Sequence, residues 1–266
     1  MSVGKKKIAF IANKMTSITS KMIEELSKEG IEARLICPED QLIDLKKVRI
    51  EDDLYVIKSV GHLGLGLAGS LHAAGANMLN PYPAVALIKH KVGLTQVLHS
   101  AGVPVPDTFT STSREALLPL LKKHTLIAKP FDGSRSKGIA IIRTPDELMR
   151  VPFGEFLMVQ RYCTPDEENR FTKAYYLDGR IFFIKRWWSE DERHNKDGEL
   201  IESPPVLSRI VQRCARILQI RLFGVDMVIS QGMPVVVDVQ EFGSFTGVPD
   251  AATLLTNFII SNLVPK

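Results

Sequence analysis

Two carboxylates stand where apolar side chains are expected. Asp226 interrupts the run Leu-Phe-Gly-Val…Met-Val-Ile at 222–229, and Asp238 interrupts Val-Val-Val…Val at 235–239. A carboxylate inside such a run has to be paired or hold a cation, because an unpaired one costs several kcal/mol. Side chains alternate along a strand, which puts Asp238 and Gln240 on one face, with Glu241 beyond them. Oxygen ligands converging from neighbouring antiparallel strands suit Mg²⁺, which takes one or two carboxylates and completes its shell with water and phosphate oxygens. An ion pair with Lys or Arg is the other use of such a residue. The same interruption on two separate strands favours the divalent ion.

A second group of residues suits anions. Lys129 closes an apolar run and opens Pro-Phe-Asp-Gly-Ser-Arg-Ser-Lys-Gly (130–138). A turn of this kind can fold over phosphates with its backbone N–H groups, helped by Arg135 and Lys137. By itself it reads equally well as a solvated hairpin. Gly64-x-Gly66-x-x-Gly69 has the spacing of a dinucleotide fingerprint, but it comes late in the chain and lacks an acid ~20 residues on. Lys89 and Lys91 stand there instead, so packing glycines are the preferred reading. No P-loop motif occurs. The six histidines have no metal-ligand spacing, which excludes a recognisable zinc site. Nothing near Cys163 marks it as a nucleophile. Strand alternation places one of Trp187 and Trp188 in the core and the other outward.

These residues need elements to carry them. Lys-Lys-Lys-Ile-Ala-Phe-Ile-Ala-Asn (5–13), 31–38 and 53–60 read as strands, and 16–29 as a helix with Met22, Ile23 and Leu26 inward and Gly30 as its stop. This predicts a small open α/β layer over roughly the first 90 residues. A single helix is expected over 84–101, followed by extended Val-Pro-Val-Pro. Strand, glycine turn and strand fill 125–144, and 156–163 is a further strand. A hairpin turns at Asp178-Gly179. The charge-dense stretch 189–205 reads as a mobile surface loop, 206–219 as a helix, 223–230 and 234–242 as two strands around Gln231-Gly232, and 251–264 as a last helix. With 45% hydrophobic and 24% charged residues the composition is that of a soluble globular protein, and 34 Lys+Arg against 30 Asp+Glu requires no nucleic acid. Three scattered cysteines fit reduced thiols, and neither a signal peptide nor a membrane-spanning run is evident, so a cytoplasmic protein is expected.

The order of these parts is more specific than any one of them. Residues 90–109, 126–142, 156–163, 222–230 and 234–249 in series resemble the ATP-grasp superfamily, most closely the branch of carboxylate–amine ligases that attach glutamate or similar groups. The resemblance covers roughly residues 85–250. It implies an α/β chain, α+β in its ATP-binding part, in three units: a small N-terminal α/β domain over 1–90, a central lid subdomain over 91–160, and a C-terminal antiparallel-sheet subdomain with the metal site over 161–266. It implies ATP and Mg²⁺ (or Mn²⁺) as cofactors. Lys91 and Lys129 then match the phosphate-binding lysines, and Gly133, Ser134 and Gly138 lie in the lid. Gln160, Arg161 and Cys163 match the adenine-reading hinge, and Asp226, Asp238 and Gln240 the metal positions. Lys185, Arg186 and Arg193 lie where the family supplies cations to the reacting anion. The ribose-holding acid has no clear counterpart; Asp166 and Glu168 are the candidates. Departures from the family pattern are Gln240 in place of Asn, Ser136 in place of the central lid glycine, and Gly243-Ser244 in place of Pro-Gly.

The activity implied is an ADP-forming carbon–nitrogen ligase acting on a small-molecule carboxylate and amine, or on a peptide or protein terminus, with no nucleic acid or membrane partner. A homodimer is a family-level expectation. Residues 234–249 also resemble the inositol-phosphate kinase branch, which leaves a small-molecule kinase as the alternative. A nucleotide-binding module without turnover is a third reading, and a nicotinamide oxidoreductase the remotest.

Overall fold

The computed structural model describes residues 5–58, 61–129, 139–152, 156–167, 169–187 and 198–263. The N-terminal layer alternates β1 (Lys7–Ile11), α1 (Ser17–Lys28), β2 (Glu32–Ile36), β3 (Leu54–Ile57), α2 (His62–Ala73) and β4 (Met78–Leu79). Its sheet is parallel in the order β2-β1-β3-β4. Thr16 caps α1 by accepting from the Thr19 amide at 3.3 Å, and Met22 and Leu26 fill its inner face at a spacing of four. Gly64, Gly66 and Gly69 all lie within α2 rather than in a strand-to-helix turn. A Cβ on Gly69 would stand 2.8 Å from the Tyr82 hydroxyl, so that glycine serves close packing, not a dinucleotide.

The expected single helix over 84–101 is two, α3 (Tyr82–Lys89) and α4 (Lys91–Ser100). His90 leaves helical geometry at φ −86°, ψ 80°, and its Nδ1 accepts from the Gly93 amide at 3.0 Å. That cap starts α4 in a new direction and makes Lys91 its first residue. Next come β5 (Thr108–Ser111), the short α5 (Leu118–Leu121), β6 (Leu126–Lys129), β7 (Ala140–Ile142), α6 (Pro145–Arg150) and β8 (Leu157–Arg161). The second sheet is antiparallel, ordered β5-β8-β6-β7.

The third sheet holds β9 (Arg170–Leu177), β10 (Arg180–Trp187), β11 (Gly198–Ile201), β12 (Leu222–Ser230) and β13 (Met233–Gln240), all antiparallel in the order β11-β10-β9-β12-β13. Both tight hairpins have two successive positive-φ residues, Asp178-Gly179 and Gln231-Gly232, which is the geometry of a primed two-residue turn. The stretch expected to be loop over 189–205 contains a strand, since β11 pairs with β10 from Phe183↔Ile201 to Arg186↔Gly198. Pairing decides this, because the segment is too polar to read as a strand by pattern. Trp187 is half exposed and lies against the Arg170 guanidinium at 3.5 Å; Trp188 is outside the described residues.

Helix α7 (Pro205–Leu218) covers one face of this sheet with Leu207, Val211, Cys214 and Leu218. The other face meets the N-terminal layer. Tyr175, Ile184, Leu222 and Phe245 share a core with Phe10, Met22 and Leu26, and α8 (Ala251–Ser261) packs on α1. No helix among the described residues is long and apolar enough to cross a membrane.

Candidate functional site

The site is built where the second and third sheets meet the start of α4. Asp238 and Gln240 lie on the same side of β13, and Asp238 stands beside Asp226 across the β12–β13 ladder, where the register shifts between Asp226 and Met227. Lys173 on β9 is opposite Asp226 across the next ladder. Its Nζ donates to Asp226 Oδ1 at 2.6 Å and to Gln240 Oε1 at 2.8 Å. The Gln240 amide nitrogen donates to both carboxylates, at 2.8 Å to Asp226 and 3.1 Å to Asp238. Lys91, at the start of α4, donates to Asp238 Oδ1. Lys129, at the end of β6, donates to the Val237 carbonyl at 2.7 Å.

The charges set one another. Burial alone would raise the Asp238 pKa, but Lys91 and Lys129 beside it, with hydrogen bonds from Lys91 and Gln240, hold its carboxyl down at about 2. Burial lowers Lys91, and Asp238 outweighs it, so that ammonium is held above its ordinary value. Lys129 has no such contact with a carboxylate. Burial pushes it down to about 8, with Asp238 opposing and Lys91 adding to the drop.

Lys91, Lys129 and Asp238 line the charged end of a crevice. Its remaining walls are mostly apolar: Leu94, Leu98, Val105, Met158 and Val236. Gln160 lines it too; its amide nitrogen is bonded to the Thr108 hydroxyl at 3.0 Å, while its buried Oε1 has no partner among the described residues.

No protein-family model matches the chain. It is similar to a probable alpha-L-glutamate ligase of Legionella pneumophila (strain Paris), 23% identical over 217 residues that cover 74% of this chain and 69% of the relative. It is likewise similar to a probable alpha-L-glutamate ligase of Cellvibrio japonicus, at 23% with 97% of each chain covered. Among solved structures, a RimK domain ATP-grasp protein from Sphaerobacter thermophilus superimposes with a TM-score of 0.81 at 16% identity, over 97% of this chain and all of that one. The ATP-grasp ligase PsnB, in a complex with minimal precursor, Mg and ADP, gives 0.71 at 16% over 97% of each chain. D-alanine–D-alanine ligase from Bacillus anthracis gives 0.70 at 20%, again over 97% of each chain.

The chain has the ATP-grasp fold.

Within the ATP-grasp fold, the residues expected from sequence divide clearly. Lys91, Lys129, Asp226, Asp238, Gln240 and Gln160 come together at or beside the crevice. Arg161 lies at the end of β8, 42% exposed and 3.6 Å from Asp107. Cys163 is partly buried, with its thiol pushed up by burial, which agrees with a non-nucleophilic role. The two oxygens of Asp166 accept from the Gln231 and Gly232 amides at 2.7 Å each and so brace the β12–β13 turn. Lys185 points to the face of the sheet opposite Lys173, and pairs with Glu167 at 2.5 Å. Arg186 shares the Lys173 face. It donates to the Tyr175 hydroxyl at 3.0 Å and the Thr246 carbonyl at 2.9 Å, while its buried Nε has no partner among the described residues. Gly133, Ser134, Gly138, Glu168 and Arg193 lie outside the described residues.

One feature was missed from sequence. Lys173 is a charged residue in a mostly apolar strand, the same signal that singled out Asp226, but its partner is three strands on in sequence. Glu241, the acid beyond Asp238 and Gln240, is buried and paired with Lys89 at 2.7 Å. Gly243 occurs where the family has proline because a Cβ there would stand 2.4 Å from the Tyr175 ring.

Proposed function

We propose that the chain is an ATP-dependent carboxylate–amine ligase that releases ADP and phosphate, with glutamate or another amino acid, or a peptide terminus, among its substrates. The observation that carries this reading is the convergence of Lys91 and Lys129, from separate segments, on Asp238 at the charged end of an apolar crevice. The names of the similar proteins, glutamate ligases and a D-alanine ligase, support the ligase class.

The donor set fits a divalent ion. Asp238, with the second oxygen of Asp226 beside it, supplies carboxylate oxygens to one ion, while the Gln240 Oε1 stays with the Lys173 ammonium. Bound Mg-ATP would supply a phosphoryl group that makes an acyl-phosphate of a carboxylate, and an amine would then attack its acyl carbon, forming the amide as phosphate leaves. The chain's own residues do the positioning. Leu94, Leu98, Met158 and Val236 enclose the base, and Gln160 Oε1 accepts its exocyclic amine. Lys91 and Lys129 neutralise the phosphate oxygens, which is the main demand of phosphoryl transfer. Arg186, with its unpartnered Nε, holds the substrate carboxylate and then the oxyanion as the amine adds. Lys185 has no part in this proposal.

The test is product analysis with ATP, Mg²⁺ and panels of amino acids and short peptides. ADP release that requires both a carboxylate and an amine, with an amide as product, is the expected result. Hydroxylamine in place of the amine should give a hydroxamate. A stable phosphorylated acceptor would instead establish a kinase, and binding without ADP release a module that does not turn over.

A further inference from the structure

Of the three lysines around the carboxylates, Lys173 is the one paired across a strand ladder with a carboxylate. Its backbone is paired directly with that of Asp226, and its ammonium is clamped between Asp226 Oδ1 and Gln240 Oε1. The side chain is 7% exposed, so it has no path into solvent. Lys91 differs: it enters from the first turn of a helix, lines the crevice, and is 19% exposed. Among the described residues, Lys129 donates to a backbone carbonyl alone. Asp226 and the Gln240 carbonyl are therefore served by a cation that belongs to the protein, and Asp238 by one that borders the nucleotide crevice.

A second divalent ion seated between Asp226 and Gln240 would have to displace this ammonium or sit against it. Like charges in a poorly solvated site repel strongly, and Mg²⁺ also demands about six oxygen ligands at close range. Resting on the nucleotide-site reading above, we propose that Lys173 is a tethered cation that replaces one metal ion, so that the loaded site takes a single divalent ion, held on the Asp238 side.

The experiment counts metal, not turnover. The full chain is titrated with Mn²⁺ at saturating AMP-PNP, and free Mn²⁺ is read by electron paramagnetic resonance. One Mn²⁺ per chain is expected for the wild type and for Lys173→Arg, which keeps the cation. Lys173→Met should bind two, the second at least tenfold more tightly than any second site in the wild type. Two tight ions in the wild type overturn the proposal whether or not the Met variant folds. A folded Met variant that still binds one also overturns it. Mn²⁺ binding that is absent, or indifferent to AMP-PNP, overturns the nucleotide site itself and this inference with it, a result distinct from finding two ions.

Discussion

Lys129 is the residue whose chemistry is easiest to provoke. Its ammonium is depressed from 10.5 to about 8, so between those values the unfolded chain holds the extra proton. Its contribution to stability accordingly rises with pH across that window, because a buried charge is being relieved. Nucleotide binding should run the other way: if phosphates need the ammonium, the dissociation constant for Mg-ATP should weaken by about tenfold per pH unit above pH ~8. Lys129→Arg should flatten that dependence, as measured by calorimetric titration. Asp238 has the same sign in a lower window. Its pKa, lowered from 3.8 to about 2, gives stability that is present above 3.8 and lost as pH falls toward 2. Asp238→Ala should abolish Mg-ATP turnover and leave the circular dichroism spectrum native; full activity would count against the site. The two aspartates were legible because a carboxylate inside an apolar strand needs a reason. Lys173 carried the same signal, but only the ladder names its partner. Asp166 is bonded to turn amides, a use that its place between strands did not announce.

Each element orients one of these residues, and small local devices do it. His90 ends α3 and caps α4, which points Lys91 at β13. Nothing in the local sequence breaks the helical pattern there, and so one helix was expected across it. His90→Ala should cost about 1 kcal/mol of stability as a lost cap, read in urea, and should weaken nucleotide binding as the helices try to merge. Gly243 lets the chain after β13 pass against Tyr175, whose hydroxyl is bonded to Ser244 at 2.8 Å and to Arg186. Gly243→Ala should destabilise by about 1–3 kcal/mol through overpacking and lower kcat by disturbing Arg186. Wild-type stability in that variant would mean the Tyr175 contact is soft. The hairpins were legible from Asp-Gly and Gln-Gly pairs, since both turns need positive φ at successive residues. Strand β11 was not, because its pairing supplies what its composition does not.

At the scale of the molecule, the crevice exists because separate sheets are held together by buried polar ties. Asn80, fully buried, donates to the carbonyls of Leu222 and Glu241, and the Glu241 carboxylate pairs with Lys89. These contacts tie the end of the N-terminal layer to the sheet that carries the carboxylates. Asn80→Leu should leave two buried carbonyls unpaired and cost about 2 kcal/mol or more, seen as a lower Tm. Mg-ATP at about a hundred times its dissociation constant should stabilise the wild type by roughly 2.7 kcal/mol. Lys91→Ala should remove most of that shift, and an equal shift in the variant would place the nucleotide elsewhere. By itself the sequence determined most of the strands and helices, the hairpin turns and which carboxylates demanded a cation, because periodicity, turn conformation and desolvation act over neighbouring residues. Which cation meets which carboxylate, that β11 pairs with β10, that Lys185 faces away while Lys173 faces in, and that α4 starts at Lys91 were decided only by the tertiary structure. Strand register and helix direction join Lys91 to Asp238, 147 positions apart, and no local pattern encodes such distances.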